Sequence, residues 1–107
     1  RKKIPKKINK AVEDYIALLK KDKLPIGKVI LFGSSVKGTA HKNSDIDIAI
    51  ISSYFRDSEQ SMKYLLKKAH ELGRNDIVIE PHGFHPREFV DANPLAWEIK
   101  KTGVRFD

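Results

Sequence analysis

The chain has 107 residues, 40% hydrophobic and 33% charged, which suits one soluble globular domain over residues 1–107 with a single modest core. No apolar run nears the ~18 residues of a membrane span, no leader-like stretch opens the chain, and cysteine is absent, so disulfides, thiolate metal sites and export are not expected and a cytoplasmic location is. A formal net charge of +7 favours polyanionic partners such as nucleotides, nucleic acid or an acidic protein, although few aromatic residues lie among the lysines to stack single-stranded bases.

Pro5 suits a first helical turn, and Ile8, Val12, Tyr15 and Leu19 follow at helical spacing. That pattern predicts an amphipathic helix over residues 5–23, broken by Pro25 and Gly27. Lys28 to Phe32 reads as a strand ending at Gly33, after which a short helix starts at Ser34 or Ser35 and stops near Gly38. Asn43 and Ser44 make a turn into a second strand, Asp45 to Ile51, with Ile46, Ile48 and Ile50 on one face. Asp57 and Gln60 are placed as a capping box for a third helix, whose buried stripe is Met62, Leu65, Leu66, Ala69 and Leu72 and whose end is Gly73. Asp76 to Glu80 reads as a third strand closed by Pro81, followed by a loop. Asn93 caps a last helix, with Pro94 at its first position, that runs to about Lys101 and ends at Gly103. Val104 to Phe106 follows as an edge strand. Helices and strands thus alternate, which predicts an α/β fold with one small sheet of three to four strands flanked by helices.

The chemistry concentrates between Gly33 and Asp47. A strand that turns at once into a helix while approaching a phosphate cannot carry a Cβ at the turn, and Gly33 meets that need. The first amides beyond it lack internal partners and can bind phosphate, with the hydroxyls of Ser34 or Ser35 adding a donor. The Gly-Lys-Ser/Thr of a P-loop is missing, so a Walker-type NTPase is not indicated. Asp45 and Asp47 alternate with Ile46 and Ile48, so both carboxylates share one strand face, roughly 6.5–7 Å apart along the strand. Such a pair can bracket two divalent ions ~3.5–4 Å apart. Magnesium prefers carboxylates plus substrate phosphates to an all-protein cage. A third carboxylate should complete the site. Asp76 shares its strand face with Val78 and Glu80; Asp76 is preferred and Glu80 is the alternate.

His82 and His85 read as loop residues, His41 as a turn residue and His70 as a surface residue rather than as ligands. Lys37 and Lys42 read as solvated lysines, and Trp97, with Leu95 and Ile99, as core or interface. Two other classes share an Asp-x-Asp. Nucleotide-sugar glycosyltransferases need a far longer chain, and Toprim domains want a glutamate where Phe32 and Gly33 stand.

The string FGSSVKGTAHKNSDIDIAI, with Gly33-Ser34 ahead of Asp45-Ile46-Asp47, and the later NDIVIEP resemble the minimal nucleotidyltransferases of the DNA polymerase β superfamily over roughly residues 28–81. The resemblance implies transfer of a nucleoside monophosphate, AMP above all, from an NTP to a hydroxyl of a protein or RNA by a two-metal mechanism. It implies that Asp45 and Asp47 ligate two Mg²⁺ ions, that Asp76 completes the metal site and raises the reactivity of the acceptor, and that Gly33 and Ser34 hold the triphosphate. Larger members carry extra domains for acceptor or base, for which this chain is too short. Minimal members are often paired with a helical HEPN-type protein, some pairs resembling toxin–antitoxin modules in which the transferase adenylylates its partner. The alternative is a catalytically inactive basic subunit that binds a protein partner or nucleic acid.

Overall fold

A computed structural model describes residues 4–37 and 45–106, with only the backbone described at Ser35 and Lys37. The helix stop at Gly38, the turn at Asn43 and Ser44, and His41 and Lys42 lie outside the described residues, as do the side chains of Ser35 and Lys37. The elements in chain order are α1 (Lys6–Lys21), β1 (Lys28–Phe32), α2 (Ser34–Lys37), β2 (Ile46–Ile51), α3 (Ser58–Leu72), β3 (Ile79–Phe84), α4 (Pro94–Thr102) and β4 (Val104–Arg105). β1 lies antiparallel to both β2 and β4, and β2 runs parallel to β3, giving one mixed four-stranded sheet in the order β3-β2-β1-β4. The parallel β2–β3 pair needs a crossover, which α3 supplies. The α/β fold with a small mixed sheet is therefore the one expected. Among the described residues no helix is long and apolar enough to cross a membrane.

Strand alternation divides the apolar side chains between two faces. Val29, Leu31, Ile46, Ile48, Ile50 and Ile79 join Ala11, Val12, Tyr15 and Leu19 of α1 and Leu65 of α3. Ile30, Phe32, Ala49, Ile51 and Phe84 face the other way and meet Phe89 together with Ala96 and Ile99 of α4. Tyr15 carries its phenol into the first cluster and donates to the Leu65 carbonyl at 2.8 Å, and burial drives its ionisation well above the ordinary phenol range. Lys68 of α3 reaches Asp22 at 2.7 Å and Glu71 at 3.1 Å, and the Tyr64 hydroxyl donates to Asp22 at 2.9 Å, so α3 is tied to the end of α1.

Several elements depart from the sequence reading. The third strand begins three residues later than expected and runs through Pro81 instead of stopping there. β3 is an edge strand with one partner, β2, so a proline without an N–H fits where a central strand would reject it. The buried line of α3 is Ser61, Leu65 and Lys68, and Leu66 is 48% exposed. The helix is rotated by the close approach of β3: a Cβ on Gly83 would stand 2.6 Å from that of Ser61, so a small residue must face the strand there. On α4 it is Ala96 and Ile99 that are buried, while Leu95 and Trp97 are exposed and Lys101 lies over the Trp97 ring. The caps form as expected at Asp57, whose carboxylate accepts from the Gln60 amide, and at Asn93, which accepts from Leu95 and Ala96. Gln60 returns its side chain to the Arg56 amide, one residue before the cap.

A candidate active site where three strand ends meet

β1 ends where β2 and β3 begin, and at that corner Phe32 pairs with Asp47 while Asp47 pairs with Glu80. Residues in register on neighbouring strands share a face. Glu80 therefore stands beside Asp47, and His82, two residues further along β3, follows on the same face, the one α4 packs against farther from this corner. Asp45 comes two residues before Asp47, and its carboxylate is hydrogen-bonded to Glu80. One ligand atom from each of Asp47, Glu80 and His82 lies within 4.8 Å of the other two. His82 Nε2 is 3.3 Å from Asp47 Oδ1, and its ring rests against Phe32 with centroids 5.1 Å apart.

Gly33 sits immediately beside these groups. Its φ of +77° is a left-handed conformation, and a Cβ there would lie 2.5 Å from Asp47 Oδ2. Glycine thus serves both the turn from β1 into α2 and the space its neighbour's carboxylate occupies. The Val36 amide donates to the Gly33 carbonyl at 3.2 Å, closing the turn, and Ser34 opens the short helix.

Negative charge is crowded here. The hydrogen bond to Asp45, then burial, then the charges of Asp47 and Asp45 raise the Glu80 pKa above its ordinary value, because carboxylates crowded together repel each other. A divalent cation would relieve the same repulsion. Among the described residues, the donor set of two carboxylates with the His82 imidazole fits such an ion.

The structure does not bring Asp76 to this group. Asp76 precedes β3, and its carboxylate takes a double hydrogen bond from Arg74 at 3.2 and 3.0 Å and faces Lys7 of α1 at 3.6 Å. Arg74 also reaches Asp14 of α1 at 3.5 Å, so Asp76 belongs to the α1 side of the sheet. The acid in register with Asp47 is the alternate, Glu80. The sequence reading places His82 in a loop. Carrying the period-2 pattern of β3 through Pro81 puts it on the Glu80 face. His85 does brace its turn: its Nδ1 accepts from the Arg87 amide, and its own amide donates to Glu88.

A small mixed sheet that gathers carboxylates from two adjacent strands beside a glycine turn is the arrangement of a nucleotidyltransferase fold. The sequence matches the nucleotidyltransferase domain over residues 8–102, and the chain belongs to that family. It is similar to a toxin–antitoxin structure solved with AMP-PNP, at 25% identity and a TM-score of 0.62, covering 89% of this chain and 71% of that one. A mutant of the MntA–HpeT toxin–antitoxin is similar at 25% identity and a TM-score of 0.61, with the same coverage. A candidate nucleotidyltransferase from Sulfolobus solfataricus shares the fold at 19% identity and a TM-score of 0.51, covering 89% of this chain and 84% of that one. No curated protein matches the chain.

Proposed function

We propose that this nucleotidyltransferase domain moves AMP from ATP to a hydroxyl of a HEPN-type protein partner in the cytoplasm, with an RNA hydroxyl as the other acceptor class. The observation that carries the reading is the register of Asp47 with Glu80 beside Gly33, which gathers acids from two strands at the mouth of a glycine turn. The toxin–antitoxin relatives, one of them with AMP-PNP, support an adenine nucleotide and a protein partner. The net charge of +7 suits an anionic substrate.

In this reading Asp45, Asp47 and Glu80 hold two divalent ions, Mg²⁺ by the family resemblance, and Gly33, Ser34 and Ser35 hold the triphosphate. Bound there, the ions supply charge neutralisation for the triphosphate and for the attacking oxygen. Gly33 lets the phosphates approach the backbone next to Asp47. Glu80 takes the role first expected of Asp76, close to the acceptor hydroxyl. The acceptor hydroxyl gives its proton to a carboxylate of the cluster or to water, its oxygen bonds to the α-phosphorus, and the bond to the β-phosphate breaks so that pyrophosphate leaves with that electron pair. The protein contributes alignment and fixed charge.

The test is transfer of label from each of the four α-labelled NTPs to co-expressed partner protein or to RNA, with divalent ions present. Label is expected from ATP, reduced about 100-fold or more by Asp45→Asn and by Asp47→Asn. Label that persists in those variants removes the proposed site. Absence of label with every nucleotide and acceptor, alongside salt-dependent binding of partner or RNA, leaves the inactive basic subunit instead.

A further inference from the structure

Among the described residues, one nitrogen donor stands among the carboxylates. His82 presents Nε2 to Asp47 Oδ1 at 3.3 Å, and Phe32 supports the ring so that this edge faces the acids. Its side chain is 25% exposed and that of Asp47 26%, so both are partly desolvated yet open to an incoming ion. We propose that His82 is a metal ligand together with Asp47 and Glu80, and that its imidazole makes this site favour first-row transition ions such as Mn²⁺ over Mg²⁺. The inference rests on the metal-dependent reading above and deepens it.

The spacing fits coordination. Octahedral ligands at about 2.1 Å stand about 3.0 Å apart when adjacent and about 4.2 Å apart when opposite. The separation of 3.3 Å between His82 and Asp47 and the limit of 4.8 Å across all three donors lie slightly outside those values, as for a site that closes on its ion. A histidine that merely braced Asp47 would sit behind the carboxylate, away from the other donors. Here it lies two residues from Glu80 on the same strand face, with its ligating nitrogen inside the group. Magnesium is a hard ion that takes oxygen ligands, whereas imidazole strengthens binding of first-row transition ions. A site with one nitrogen therefore separates the two kinds of ion where an all-carboxylate site would do so less.

Calorimetric titration of the whole chain with MnCl₂ and with MgCl₂, joined to pulsed EPR of the Mn²⁺ complex, tests this. Wild type is expected to bind Mn²⁺ about tenfold or more tightly than Mg²⁺ and to show nitrogen modulation of the Mn²⁺ echo. In His82→Asn the modulation disappears and Mn²⁺ affinity falls about 10- to 100-fold, while Mg²⁺ affinity stays within about threefold. Equal losses for both ions, or Mn²⁺ bound to wild type without nitrogen modulation, overturn the assignment. Asp47→Asn and Glu80→Gln separate the two readings. If they abolish binding while wild type lacks the modulation, the carboxylate site stands and the role of His82 falls. If they leave binding intact, or wild type binds neither ion, both fall. Should His82→Asn fail to fold by circular dichroism, the wild-type echo decides alone.

Discussion

Glu80 and Asp76 are four residues apart and of like charge, yet they are expected to respond oppositely to loss of that charge. Glu80 stands in register with Asp47, whereas Asp76 is held by Arg74 and Lys7. Glu80→Gln should lower nucleotidyl transfer about 100-fold or more, and Asp76→Asn should leave it within about threefold. Asp76→Asn should instead lower the thermal midpoint slightly, because Asp76 and Lys7 are exposed and an exposed carboxylate's ion pairs are screened. Transfer rates of the two purified variants decide the matter, and equal losses would return Asp76 to the site. The carboxylates of β2 and the glycine before them were legible because their spacing is local: a two-residue period fixes Asp45 against Asp47, and a strand-to-helix turn fixes Gly33. Choosing between Asp76 and Glu80 required the start of β3, which is set by pairing with β2 rather than by any residue within the segment. His82 was hidden for the same reason, lying beyond a proline that looked like a strand end.

At the scale of elements, the sequence revealed which segments are helices and strands better than which way they face. The caps at Asp57, Gly73 and Asn93 act through groups a few residues away, so they could be read directly. Helical spacing puts Leu66 on the stripe of α3 and Trp97 in core or interface, whereas the surfaces they would cover are decided by what packs against α3 and α4. The contact that sets α3 is the approach of Gly83 to Ser61 and Leu65, where an added Cβ would meet Ser61 Cβ at 2.6 Å and Leu65 Cδ1 at 3.0 Å. Gly83→Ala is expected to force α3 and β3 apart and to cost about 1–3 kcal/mol. A urea unfolding curve should show that loss as a lower midpoint with an unchanged slope. A midpoint equal to wild type would mean that the two elements separate freely, and Ser61 would then not be what fixes the rotation of α3.

Across the whole molecule, Asp22 and Asp76 respond to pH in one direction and Glu80 in the other. Asp22 is held below its ordinary value of 3.8 by hydrogen bonds from Lys68 and then Tyr64, and Asp76 below the same value chiefly by its hydrogen bond from Arg74. Their contribution to stability is present above that value and lost as pH falls through their lowered folded pKa values. Glu80 is raised above its ordinary value of 4.5 by the hydrogen bond to Asp45, by burial and by the neighbouring charges of Asp47 and Asp45. Its contribution has the reverse sign: it is full below 4.5 and lost as pH rises through the folded pKa, because the folded protein must then hold a third charge in the cluster. The metal-free chain should therefore melt at a lower temperature at neutral pH than in mild acid, and Glu80→Gln should flatten that decline. Divalent cations bind the ionised carboxylates, so they should raise the melting temperature more at neutral pH than near pH 4.5, which lies below the raised folded pKa of Glu80. Differential scanning calorimetry of both forms, with and without Mn²⁺, reads this out. An equal stabilisation at both pH values would mean that the ion binds away from Glu80. On the proposed reading, stability and catalysis would meet in this corner of the sheet: the repulsion that weakens the metal-free fold at neutral pH is what an ion brought by a nucleotide would relieve.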